Sequence, residues 1–311
     1  MKSSTVALGL GAAAAVSAQR PADQSICDYY TTALLMENNA TNQQTVLTLV
    51  VNTAVIGNYT SNPGSLVAVP GILAPGTGDF EGVNLLPYFN GELVSTNAGG
   101  MPRSVNFLDD GGAAPLMMNM PANGTDSAQY RLLTHLYSYF AVLLGCSEFG
   151  NSTGQYAGET SQYSVHQYMA LSNAEVGYFI TQVGLAAASF GVTEEDVTAV
   201  GTALTDAFGY RCAPPAAIPP TASAELQAIC IAEDCPIATA SPTCEAYEAV
   251  VEPATATMSS MPTESGMESG SGSMPSATMS GMPEQSTGGA GSLLPVMGGV
   301  VGGALAAVFA L

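Results

Sequence analysis

Two side chains in this sequence combine metal-ligating power with a charge change near neutral pH: His135 and His166, the only histidines in 311 residues. His166 sits in the run Tyr156 to Met169, behind an apolar, aromatic stretch and ahead of two segments with helix-start signals. An imidazole there serves as a metal ligand or as a hydrogen-bonded core residue, and taken alone it favours the second role. Sulfur is the other reactive element. Cys27, Cys146, Cys212, Cys230, Cys235 and Cys244 form an even set, which predicts three disulfides among fifteen connectivities. Cys230 and Cys235 as a metal pair lack the C-x-x-C spacing and a neighbouring histidine. Met258, Met261, Met267, Met274, Met279 and Met282 offer thioethers that suit Cu(I), against the plainer reading of a spacer tolerant of methionine. No Gly-rich phosphate loop, Gly-x-Ser-x-Gly elbow or catalytically spaced carboxylate pair occurs, so the expectation leans away from an enzyme.

The elements that must position these groups read as all-α. A helix is expected over 42–55, with Val46, Leu49, Val50 and Thr53 on one face. Residues 56–126 are rich in Gly, Pro and Asn and read as a long irregular insertion with short elements such as Leu85 to Phe89. A strong helix follows over 127–145, capped by Ser127, with Leu132, Leu136, Tyr139, Phe140 and Leu143 at helical spacing. Ser172 and Glu175 form a capping box for a helix ending near Ser189. Thr193 opens the last main helix, which Gly209 closes. Gly177, Gly184 and Gly201 inside these two helices each cost about 1 kcal/mol relative to Ala, which predicts close packing there. The Pro-rich stretch 212–251 reads as an extension wrapped back over the domain and stapled to it.

The two ends predict a location. Lys2, the apolar run 6–16 and the small-residue site before Gln19 read as a signal peptide over 1–18. The folded domain is expected over 25–251. Residues 252–292 form a Ser/Thr/Met/Pro/Gly-rich stalk, of O-glycosylated type. Residues 293–311 lack charge and read as a GPI-attachment signal, with Ser280, Ser286, Gly288 and Gly289 as candidate attachment residues. A single transmembrane span is the alternative for this tail. Sequons at Asn39, Asn58, Asn123 and Asn151 predict glycosylation on the secretory route. The expected place is the extracellular face of the plasma membrane or cell wall. Its partners there are the membrane, through the anchor, and cell-wall glycan. Twenty-five acidic against five basic residues, for a net charge of −20, exclude a nucleic-acid partner.

The order of motifs in the second half resembles the truncated haemoglobins of the globin superfamily. The resemblance rests on the apolar helix from Thr134 to Cys146, Tyr156 with Gly158, Val165-His166, and Phe190 to Val192. Leu86 to Phe89 is similar to that family's Pro-x-Phe segment. It covers residues 45–210 and is continuous over 129–210. The turn-to-histidine spacing is one residue longer than usual, and the insertion before the distal helix is far longer. The resemblance implies a globin-like fold holding haem, with His166 as the iron ligand. Leu132 and Leu136 would face the sixth coordination position, and Phe179 and Val183 the proximal side. His135, Arg131 and Tyr156 would stand near the haem edge and its propionates. An apolar distal side favours haem capture or diatomic gas binding over oxygen chemistry. The alternative is a non-enzymatic surface or adhesion protein using a haem-free globin-like scaffold.

Overall fold

The computed structural model describes residues 19–59, 67–150, 156, 158–218 and 222–256, all within one compact unit. The expected signal peptide, GPI attachment residues, hydrophobic tail, Asn151 and the six clustered stalk methionines lie outside the described residues. Among the described residues, no helix is long and apolar enough to cross a membrane.

Among the described residues, eight α-helices and one two-residue antiparallel strand pair make the fold mostly helical, consistent with an all-α class. The order is α1 (Ile26–Leu35), α2 (Ala40–Ile56), α3 (Leu86–Phe89), β1 (Thr96–Asn97), β2 (Pro102–Arg103) and α4 (Ala113–Met117). Then come α5 (Ala128–Leu143), α6 (Gln162–His166), α7 (Asn173–Ser189) and α8 (Glu194–Phe208). The start signals act where expected. Ser127 accepts from the Tyr130 amide, Thr193 from the Asp196 amide, and Ser172 with Glu175 closes a reciprocal capping box. Helix α1 carried no strong signal in the sequence; Ser25 caps it, and Tyr30 and Cys27 bury against its neighbours. Helix α2 runs slightly past both expected ends, from its Asn39 cap to Ile56.

The longer helices pack as pairs: α7 on α8, α2 on α7, α2 on α5 and α1 on α2. Helix α2 is therefore the central element, which is why ten of its residues are buried. Two of the mid-helix glycines answer to packing. A Cβ at Gly184 would meet Val197 Cγ1 of α8 at 3.3 Å, and one at Gly177 would meet the Phe80 ring of the insertion at 3.4 Å. At Gly201 the nearest atom, Ile180 Cγ2, is 4.0 Å away, so no close approach requires a glycine there.

The insertion is ordered where described. It leaves α2 at Gly57, doubles back, and passes so close that a Cβ at Gly71 would lie 2.3 Å from the Gly57 nitrogen. Both glycines hold positive φ, 83° and 84°. Gly71 is then tied to α7: its amide donates to Gln182 Oε1 at 2.9 Å, and its carbonyl accepts from the Tyr178 hydroxyl at 3.0 Å.

The disulfides pair Cys27 with Cys146, Cys212 with Cys244 and Cys230 with Cys235. Cys27–Cys146 fastens α1 to the end of α5. The other two close the C-terminal extension on itself. The expected staple between extension and helices is therefore not a cross-link from α1–α5 but the covalent start at Cys212 and a set of hydrogen bonds. Ile231 and Ala232 donate to Leu171 O, and Ile229 and Cys230 to Phe208 O.

Candidate functional site

Helical spacing on α5 brings Arg131, Leu132, His135, Leu136, Tyr139 and Phe140 to one face, and this face forms a wall of a cavity of about 390 Å³. Helix α7 contributes Glu175, Val176, Phe179 and Val183 at the same kind of spacing. Val51, Ala54 and Val55 of α2 enclose it, and the short α6 adds Gln162, Val165 and His166. The insertion completes the wall with Ile72, Leu85, Phe89, Thr96 and Phe107. The lining is mostly apolar with few polar groups, and the volume falls in the range of sites for cofactor-sized ligands.

His166 is the C-terminal residue of α6. Its Nδ1 lies 2.7 Å from the Gln162 carbonyl oxygen. A carbonyl only accepts, so Nδ1 carries the proton and Nε2 keeps its lone pair, on a ring that borders the cavity. The residue is half-buried. Burial holds its pKa below the ordinary histidine value, with the carbonyl contact opposing that in part.

A helix of five residues does not stand alone in water. Ser161 caps it, accepting from the Ser164 amide while donating its own hydroxyl to Leu226 O at 2.8 Å. The Tyr163 amide also donates to Leu226 O, at 3.2 Å, and Gln227 Nε2 donates to Thr160 O at 2.9 Å. The Glu248 amide donates to the Tyr163 hydroxyl at 2.7 Å, and Tyr247 meets the Tyr163 ring edge-on. On the other side, Asn97 Nδ2 of β1 donates to Ser164 O at 3.0 Å. The C-terminal extension and the insertion thus clamp the histidine segment from two directions.

Besides His166, two carboxylates, an arginine and a second histidine line the cavity, and these four divide cleanly. Glu159 accepts from the Thr160 and Ser161 amides, and Glu175 is committed to the α7 capping box. Arg131 and His135 are exposed, and among the described residues their side chains make no hydrogen bond or ion pair. Burial and the nearby Arg131 charge hold the His135 pKa below its ordinary value. His135 stands edge-on to Tyr156 at 6.1 Å, and Tyr156 to Tyr139 at 5.7 Å. The Tyr139 hydroxyl is buried without a partner, and burial pushes its pKa up.

All eight residues singled out in the sequence line this cavity: His166, Leu132, Leu136, His135, Arg131, Tyr156, Phe179 and Val183. Sequence reasoning missed Tyr139, which it placed on the apolar helix face without a role, and Gln162, whose carbonyl orients His166 by the ordinary four-residue helical step. It also missed the insertion's share of the wall; the only signal was the apolar Leu85 to Phe89 element. Among the described residues, no group of three His, Cys, Asp or Glu side chains could hold a metal ion unaided. Asn58 and Asn123 are exposed, and Asn39 is half-buried as the α2 cap. No protein-family model, curated protein or solved structure compared with this chain matches it.

Proposed function

We propose that the cavity binds haem, with His166 Nε2 as the protein ligand to iron, in a globin-like domain displayed outside the cell on a GPI anchor. The observation that carries this reading is the state of His166. Its Nδ1–H is pinned to a main-chain carbonyl and its remaining lone pair belongs to a ring on the wall of an apolar cavity. That is how a metal-ligating histidine is oriented and made more basic. A macrocycle supplies four equatorial nitrogens, so one imidazole suffices from the protein, and a three-residue metal cluster is not needed. Helices α2, α5 and α7 stand around the cavity, and the histidine sits on a separate short helix.

Bound haem would supply reversible axial ligation of a diatomic gas. The chain's own residues bind and shelter it. The apolar side chains of α2, α5, α7 and the insertion exclude water, and Arg131, unpaired at the exposed edge, is placed to meet a propionate. Haem capture or gas binding follows from this set better than turnover. Three disulfides support an oxidising compartment.

Titrating the full chain with haemin tests the reading. A saturable Soret shift is expected in the wild type and its loss in His166→Ala. A wild type that gives no saturable change refutes haem binding and leaves the haem-free surface scaffold.

A further inference from the structure

Among the described residues, eight large hydrophobic side chains are exposed; five of them are methionines, and none is Leu or Phe. Three of the five crowd into four positions at the end of α4: Met117, Met118 and Met120, which are 54%, 59% and 39% exposed. A surface selected for apolarity alone draws on Leu and Phe as well, so what these positions share is the thioether. The turn that presents them is held from behind. The Met120 amide donates to Pro115 O at 2.9 Å and the Asn119 amide to Leu116 O at 3.0 Å, with Asn119 at φ 59°, which closes the helix end as a Schellman motif. Leu116 is fully buried, and its carbonyl also accepts from Asn52 Nδ2 of α2 at 3.1 Å. The Tyr59 hydroxyl donates to Asn119 Oδ1 at 2.7 Å, and Gln129 Nε2 of α5 donates to Pro121 O at 2.9 Å. The backbone is thus fixed on the protein side, and the three sulfur-bearing side chains are left in solvent.

We propose that Met117, Met118 and Met120 form a surface site for Cu(I). None of the three lines the cavity, and the site does not depend on the haem reading. Thioether sulfur is a soft, neutral donor that suits Cu(I), whereas Zn(II) prefers thiolate or imidazole and Mg or Ca prefers oxygen. Residues three positions apart on a helical turn stand about 5–6 Å apart at Cβ. Each methionine adds three rotatable bonds, so three sulfurs reach one ion without moving the fixed backbone. All six cysteines are closed in disulfides, which takes thiolate out of the competition. A thioether forms no disulfide and keeps its lone pairs in the same oxidising space. The three donors leave the ion its single positive charge, which a chain of net charge −20 attracts. Binding ligates copper that is already reduced: its oxidation state does not change, and no proton is released.

The test titrates Cu(I), supplied as its acetonitrile complex without oxygen, into the haem-free full chain against a chromogenic Cu(I) chelator. Met258, Met261, Met267, Met274, Met279 and Met282 offer the same donor atom, so a full chain with all six changed to Leu is the reference. That reference is expected to take up about one equivalent of Cu(I). Adding Met117→Leu, Met118→Leu and Met120→Leu is expected to abolish the uptake or weaken it by about tenfold or more. The exchange keeps apolar volume at exposed positions, so folding is not at stake. The methyl resonances of the three methionines are expected to shift on loading, and X-ray absorption to show a sulfur shell around copper. No uptake by the reference chain, uptake unmoved by the three substitutions, or a shell of nitrogen or oxygen overturns the proposal. Each of those outcomes leaves haem binding by His166 standing, and a chain that takes Cu(I) here but no haem sinks only the haem reading.

Discussion

Tyr137 and Tyr139 lie two residues apart on α5, and their hydroxyls have opposite fates. Tyr137 donates to Asn52 Oδ1 at 2.6 Å, and Asn52, fully buried on α2, donates in turn to Leu116 O at 3.1 Å. The Tyr139 hydroxyl has no partner. Tyr137→Phe is expected to destabilise the fold by about 1–3 kcal/mol, because it takes the Tyr137 donor from the buried Asn52 Oδ1, whereas Tyr139→Phe costs about nothing. Urea denaturation of the two variants checks this. Nothing in the sequence separates the two tyrosines, since the partner is 85 positions away and becomes a neighbour only when α2 and α5 pack. A second residue-scale feature is Asp196, 4% exposed, whose Oδ1 accepts from Arg20 Nε and Nη2 at 3.0 and 2.8 Å and whose Oδ2 accepts from Tyr30. Burial pushes its carboxyl up, but the Arg20 and Tyr30 hydrogen bonds and the Arg20 charge outweigh that and hold it below the usual range. A depressed folded pKa means its stabilisation is present above the unfolded value, about 4, and is lost as pH falls through the folded one. Asp196→Asn is therefore expected to lower stability at pH 7 and to flatten its decline below about pH 4, as read from thermal melts across pH.

At the scale of elements, what was legible was what local chemistry decides. Ser127, the Ser172–Glu175 box and Thr193 announced α5, α7 and α8, because a cap acts on its own next three residues. Helix α6 was legible only as a segment bearing a histidine. Its five residues gain their order from Leu226, Gln227 and Glu248, and those contacts leave no periodicity in either stretch. The same holds for the insertion, whose wall residues are spread from Ile72 to Phe107 without a repeating pattern. Gln227 is the test case for the clamp. It is 2% exposed, donates to Thr160 O and Ala216 O, and accepts from the Gln162 amide. Gln227→Ala is expected to cost roughly 1–3 kcal/mol and to speed amide hydrogen exchange in α6 ahead of α5 and α7. Equal acceleration in all three helices would count against a local clamp.

For the whole molecule, the three disulfides differ most in the length of chain they close. Cys27–Cys146 spans 119 positions and Cys230–Cys235 only 5. In the chain-entropy account, removing the first pair costs about 4–5 kcal/mol and the second about 2 kcal/mol, a difference that paired Cys→Ala variants would expose in guanidinium unfolding. An even cysteine count foretold cross-links, but the pairing depended on which ends the packed helices bring together. The Cys212–Cys244 bond also sets how tension runs through the domain. A pull on the chain beyond Ala256 meets first the bonds from the Ala256 amide to Glu92 O and from the Val94 amide to Ala254 O, then the Glu248 contact to Tyr163. At Cys244 the load crosses the sulfur bridge to Cys212, four residues beyond the end of α8. The described residues 213–218 and 222–243 lie outside that covalent load path, and they include Leu226 and Gln227. A domain held by its C-terminal end can therefore be tugged while two of the contacts that seat His166 stay outside the path of the force.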